Sequence, residues 1–435
     1  MKKFLFASIS LLSFSTAFSF TPADSLNLPD SLPPRIYDDR IFKESIHTVR
    51  LCPTGLAGGY PIFSDLDYTT LLLSFDELDS EFKTYHYTVV HCDANWQASD
   101  LQPKEYLGES MQDVIKSIQG SVNTRQQFVH YSVVFPNENM QIKLPGNYAV
   151  LVYEGDSSDH PVLTARMMYL DHKANINGKV HQATGIEDKK FKQEVDFQIS
   201  RELVNIADPY NDIKVCIMQN RRKDNAISDL KPKYASDKVL DYNYESENVF
   251  EGGNEFRQFV ISSFQKPGWR VASIRKGEDG LHLQVETDKK RSYLRYSYDG
   301  DMNGGYEIKT LDGANDSLGA DYGWVHFTLQ TEETFEDGGL YVMGDFCHWN
   351  YDTANRMIYS PEAKAYHAKI YLKQGSYNYC YLYKSDSLAK GESGVVEGDH
   401  YETGNNYLIL VYHRAPGSRY DSLISATPLS IFRKE

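Results

Sequence analysis

The residues best equipped for chemistry are few, and their spacing keeps them apart. His86, His91, Cys92 and Asp93 have the donor types of a zinc site. They lie on or beside the run Tyr85-His86-Tyr87-Thr88-Val89-Val90-His91, which reads as a β-strand. An odd separation sends His86 and His91 to opposite faces, so without a bulge they cannot share an ion. Asp299-Gly300-Asp301-Met302-Asn303-Gly304 has the opening of a calcium loop. Thr310 stands where that loop needs a bidentate glutamate, and no helical pattern flanks it. Asn303-Gly304 is better read as a tight strand reversal. Acid pairs such as Asp65 and Asp67 would need facing geometry to hydrolyse a glycoside, and spacing does not supply it. The chain has no Gly-x-Ser-x-Gly, His-Glu-x-x-His or Walker loop. It reads as a non-enzymatic protein with no cofactor and no metal.

Binding is then the function to look for, and composition limits the partner. The chain has 435 residues, enough for two or three domains, and 41% hydrophobic residues give it ample core material. A formal charge of −15 argues against nucleic acid, because phosphate repels such a surface. The mean hydropathy of −0.51 and the lack of an apolar run near twenty residues argue against direct membrane insertion by a helix. Lys2 and Lys3, the apolar stretch Phe4 to Phe14, and small residues to Ser19 have the order of a secretory signal peptide, with cleavage expected after Ser19.

Beyond the signal segment 1–19, residues 20–35 carry four prolines and read as an arm. Short runs of Tyr, Val, Ile and Phe between Gly, Asn and Asp turns follow. Leu71 to Asp76, Tyr131 to Phe135 and Gly146 to Tyr153 are examples. With no long helical pattern between them, they predict an all-β chain of tandem immunoglobulin- or fibronectin-like sandwiches. The expected boundaries are 36–170, 171–318 and 319–435, with Lys- and Asp-rich residues 220–240 as a solvated loop. In the last unit, Tyr377-Asn378-Tyr379-Cys380-Tyr381-Leu382-Tyr383 puts its tyrosines on one face and Cys380 and Leu382 on the other. Tyr407 to Tyr412 is expected to close that sheet.

Two resemblances attach to these runs. Ser74-Phe75-Asp76-Glu77-Leu78, Tyr85 through Trp96, Tyr131 through Asn139, Leu144-Pro145-Gly146-Asn147-Tyr148 and Gly344-Asp345-Phe346 resemble the type 9 secretion system plug proteins of Bacteroidota. That resemblance implies a periplasmic partner of a large outer-membrane translocon β-barrel, closing it when no cargo passes, and carries no catalytic residues. The last unit, through Val342 to Trp349 and Gln374 to Tyr379, also resembles early-set sandwiches that bind glycogen-like sugars. Trp349, Tyr377, Tyr379 and Tyr381 would be its stacking residues. Burial of all four in a sandwich core is the competing reading, and the favoured one.

The five cysteines contain no Cys-x-x-Cys. Five buried thiols is the preferred reading, and Cys347 with Cys380 is the candidate disulfide, both being expected on strands of one domain. Asp followed by Ser or Thr and a small or branched apolar residue occurs six times, offering Ser25, Ser31, Ser317, Thr353, Ser387 and Ser422. Composition alone gives about one or two such triplets. They resemble the O-glycosylation acceptor of exported Bacteroidota proteins, with ordinary Asp-Ser turns as the alternative. Ser387 and Ser422 are expected in reachable turn-like or terminal segments.

Overall fold

Alternation builds the first sandwich. Leu71, Leu73 and Phe75 turn inward along Leu71–Glu77, and Tyr85, Tyr87 and Val89 do so along Tyr85–Cys92. One sheet orders Ile46–Pro53, Leu71–Glu77, Val129–Phe135 and Ser117–Gly120. The other centres on Tyr85–Cys92, Gly146–Glu154 and Pro161–Tyr169. Phe75 stacks on Tyr131 at 5.1 Å in the core between them, and burying each such ring contributes about 1.5–3 kcal/mol. These coordinates are a computed structural model describing residues 37–431 apart from 80, 156, 313 and 314. The expected signal segment and arm, with Ser25 and Ser31, lie outside the described residues.

The described residues are all-β, as expected, in mostly antiparallel sandwiches with only single helical turns among them. The second and third units are not tandem, however. Ile213–Gln219 pairs with Asn406–His413, setting Val215 opposite Val411 and Ile217 opposite Ile409. The second core therefore joins Val195, Phe197 and Ile217 to Tyr407, Ile409 and Ile424. Arg257–Ile261 instead pairs with Gly375–Ser385, and Gly280–Val285 runs beside Tyr322–Gln330. The third sandwich thus occupies roughly residues 254–400 and is inserted into the second. This corrects the boundary at 318/319 and the placing of Tyr407 to Tyr412 in the last sheet. Periodicity tells which face a side chain takes, and not which distant strand lies beside it.

A narrow neck carries the insertion. The chain leaves at Gly252-Gly253 and returns at His400, whose amide donates to the Gly253 carbonyl at 2.9 Å. A Cβ at Gly252 would sit 2.1 Å from the His400 carbonyl oxygen, so only glycine allows the two crossings to touch.

The Leu144-Pro145-Gly146-Asn147-Tyr148 motif is a tyrosine corner. The Tyr148 hydroxyl donates to the Leu144 carbonyl at 2.6 Å. Lys373-Gln374-Gly375-Ser376-Tyr377 repeats the device in the third sandwich, Tyr377 donating to the Lys373 carbonyl at 2.6 Å. At the first corner Gly146 has φ of 143°, and a Cβ there would lie 2.7 Å from His91 Nε2.

His91 is itself buried, 2.9 Å from Ser99 Oγ through Nδ1. Burial pushes its imidazole down to about 4, against a smaller opposing effect of the Pro145 carbonyl. The unfolded chain takes up this proton near pH 6.5 and the folded chain only near 4, so stability is complete above 6.5 and is lost as pH falls between those values. The loss should total about 3 kcal/mol. Urea midpoints at pH 7 and pH 5 should differ in the wild type, and the difference should shrink in His91→Asn. An equal difference in both would remove His91 as the cause.

Candidate functional site

The three sandwiches meet around a cleft of about 390 Å³. Arg50, Tyr60 and Arg166 come from the first, Arg221 and Lys223 from the second, and Asp345 from the third. Asn220 and Arg221 have φ of 48° and 63°, and His348 and Trp349 have φ of 52° and 58°. Left-handed backbone at four non-glycine positions is a local cost that the surrounding contacts must offset. It aims Arg221 at Asp345, 2.6 Å away, and over the Tyr60 ring at 5.2 Å. Lys223 lies 2.7 Å from both Asp38 and Asp39. Burial raises the Asp39 carboxyl, but Lys223 and Arg166 outweigh it and hold the group well below the usual carboxylate range. Residues 220–224, expected to be a solvated loop, are thus a buried joint: Asn220 and Arg222 are both inside.

Each pair of sandwiches has its own polar tie. Between the first and third, buried Asp76 accepts from His130, Tyr322 and Lys373, each at 2.6 Å. Burial would raise this carboxyl; His130 and Lys373 bring it below its ordinary value. Asp321 adds bonds from the Arg125 and Gln126 amides at 2.7 and 3.0 Å. Between the first and second, Asp421 accepts from the Ala94 amide and Lys214 at 2.9 Å and from Arg414 at 2.7 Å. Beside it Met168 and Leu170 pack on Leu408 and Leu410. Between the second and third, Arg222 and Asp224 pair at 2.8 Å, and Tyr351 donates to Asp224 at 2.6 Å. What the arrangement does is lock three cores into one body.

The sugar-stacking reading is corrected. Tyr377, Tyr379 and Tyr381 are all within 1% of full burial. The last two donate to one carboxylate oxygen of Asp288 at 2.7 and 2.8 Å. Trp349 is 4% exposed, with its indole N–H donated to Asp345 at 2.8 Å. The inward phase of Gly375–Ser385 takes the three tyrosine rings into the core, while Trp349, after the 3-10 turn, is held at the cleft by Asp345. The candidate disulfide is corrected as well. Cys347 and Cys380 are free thiols in one small apolar cluster, Cys347 sits on a 3-10 turn and not a strand, and burial pushes its thiol up to about 12. His86 and His91 take opposite faces, as the alternation requires. Asn303 and Gly304 form a turn with φ of 51° and 84°, and Asp301 is bonded to the Asn303 and Phe256 amides.

Of the Asp-Ser/Thr triplets, Ser317, Thr353 and Ser387 are exposed. Ser422 is not in a turn: it opens the strand Ser422–Ser430, half-buried between Asp421 and Leu423, which are both fully buried. Asp421 is spent on the tie to the first sandwich, so this triplet is structural.

A crystal structure of a hypothetical protein from Parabacteroides merdae superposes on the chain with a TM-score of 0.88 at 33% identity, covering 91% of this chain and 99% of that one. A two-domain protein of unknown function from Bacteroides fragilis gives a TM-score of 0.14 at 12% identity over 47% of this chain and 83% of that one, too low to support any argument. No curated protein matches. Residues 46–171 match the family described as type 9 secretion system plug protein 1st domain. The chain belongs to the type 9 secretion system plug protein family. The plug-domain match coincides with the first sandwich, from the inward-facing Ile46 to the residue after Leu170. No helix among the described residues is long and apolar enough to cross a membrane.

What sequence reading missed in this plug-family chain is the polar framework. Asp76 and Asp345 stand inside quoted motifs, yet their partners lie 297 and 124 residues away. A charged residue inside a strand otherwise rich in apolar residues was the available signal, at Asp76 and again at Lys373.

Proposed function

We propose that the protein is a non-enzymatic gating subunit of the type 9 secretion system, docking in the periplasm on the outer-membrane translocon barrel and closing it in the absence of cargo. The observation that carries this reading is the interlocked body behind a plug-family first domain. Three sandwiches cross-tied by buried carboxylates, one of them inserted into another, have little freedom to bend. A gate must resist deformation to prevent leakage, and displacement by cargo or an energised partner then moves it as a unit. Tagged protein expressed in its own host should recover one very large barrel protein. Recovery of soluble polysaccharide enzymes alone would overturn the proposal.

Export and modification belong to the same reading. Protein from its own host should begin at Phe20 in intact-mass spectra and carry heterogeneous added mass. Ser25 and Ser31, with the exposed Ser317, Thr353 and Ser387, are the acceptors. Replacing these five by Ala should collapse the spectrum to one peak. A single unmodified wild-type peak removes the glycosylation, and a peak beginning at Met1 removes export.

A further inference from the structure

On the second sandwich, pairing of Asn175–Gln182 with Lys192–Ser200 sets His181 opposite Glu194 and Lys179 opposite Asp196. These four side chains share one face, the reverse of the one on which Val195 and Phe197 enter the core. His181 Nε2 lies 2.8 Å from Asp196 Oδ2 and 3.9 Å from Glu194 Oε1. The three donor atoms fall within 4.8 Å of one another. The Glu194 and Asp196 side chains are only 1% and 7% exposed, so two carboxylates are held out of water beside one imidazole. Lys179 reaches Asp196 at 3.5 Å, but from a side chain 65% exposed, where a charge offsets little. Asn248 donates to Asp196 Oδ1 at 3.2 Å and the Thr184 amide to Glu194 Oε2 at 2.7 Å. The other two carboxylate oxygens face the ring.

A separate contact orients that ring. His181 Nδ1 is 2.8 Å from the Gln182 carbonyl oxygen, an atom that only accepts, so Nδ1 carries a hydrogen. Nε2 is left for the carboxylates. Donation of the far N–H to a carbonyl is the usual support for a metal-binding histidine.

We propose that His181, Glu194 and Asp196 form a divalent-cation site best matched to zinc. Donors bound at about 2.0–2.2 Å stand about 3.3 Å apart in a tetrahedron, between the 2.8 and 3.9 Å separations seen here. The partly exposed imidazole leaves a side open for water as fourth ligand, whereas calcium would need about six to eight oxygens. The ion clamps the base of the connection between the two strands, which carries Ile186 at 93% exposure and the exposed Phe191.

Purified protein without a histidine tag, titrated with zinc chloride in a calorimeter, should bind one ion per chain. Its Tm should rise in zinc and return with EDTA. His181→Gln should weaken binding at least about 100-fold. Cobalt(II) should give the visible bands of tetrahedral coordination in the wild type and not in H181Q. His282, 2.9 Å from His326 and 2.6 Å from Asp279, is the competing cluster, and His282→Gln should leave the titration unchanged. No zinc binding by the wild type, undiminished binding by H181Q, or loss in H282Q instead would each overturn the site.

Discussion

Replacing Lys373 by methionine is expected to destabilise the fold by about 3–5 kcal/mol. The ammonium lies 2.6 Å from Asp76 and 2.7 Å from the Ser317 carbonyl, and 4.0 Å over the Phe128 ring. Both members of the pair are within 2% of full burial, so bulk water does not compensate for the loss. Burial pushes the Lys373 ammonium below its ordinary value although Asp76 opposes this, which is the behaviour of a charge tolerated only for its partner. Methionine fills the volume and leaves Asp76 with His130 and Tyr322 alone. The double variant Asp76→Leu with Lys373→Met should recover part of the loss, because it removes the stranded charge together with its partner. Urea unfolding of the single and double variants gives the coupling. A single-variant loss below about 1 kcal/mol would mean that the first and third sandwiches are held by their other contacts.

A loss of similar size, about 3–5 kcal/mol, is expected for Asp288→Ala, but confined to the third sandwich. Asp288 accepts from Arg257 at 2.7 Å and Arg270 at 2.6 Å on one oxygen and from Tyr379 and Tyr381 on the other. Alanine strands the Arg257 guanidinium and two hydroxyls in the core and takes the shorter of its two ion pairs from the quarter-exposed Arg270, and Glu397, already paired with Arg257 at 3.0 Å, cannot reach them all. Hydrogen exchange should accelerate along Arg257–Ile261 and Gly375–Ser385 while Leu71–Glu77 in the first sandwich keeps its protection. Uniform acceleration in all three sandwiches would show that they unfold together, with no local stability assignable to Asp288.

Facing was legible in the sequence; pairing was not. The odd-numbered tyrosines from Tyr377 fall on one side of their strand with Cys380 and Leu382 on the other, because a pleated strand has a period of two whatever lies next to it. The same rule kept His86 from His91. It fails where both faces of a strand are covered, as along Gly146–Glu154, and where an inward position carries a charge, as at Glu77. Leu144 to Tyr148 was recognisable as a motif before its physical basis was visible. Gly146 clears His91 and Asn147 accepts from Tyr412 at 2.9 Å, two contacts with distant chain, while Tyr148 closes the corner locally on Leu144. The His181 cluster has no local signature, since its donors meet only through the register of two strands.

The insertion of one sandwich into another sets an order of assembly. Asn220 and Asn405 bond at 2.7 Å across 185 residues of chain, so the second sandwich emerges from synthesis or export with half of one sheet missing. Its exposed Ile213–Gln219 edge invites pairing with other chains until Asn406–His413 arrives. Early folding of the inserted unit shortens the wait, because the contacts of Gly252 and Gly253 with His400 bring its two ends together. Cutting the effective loop about fivefold lowers the closure cost by on the order of 1.5 kcal/mol. The neck therefore acts in kinetics as well as in architecture: a chain that folds its insert late spends that interval as a candidate for aggregation, and for whichever chaperone patrols the compartment.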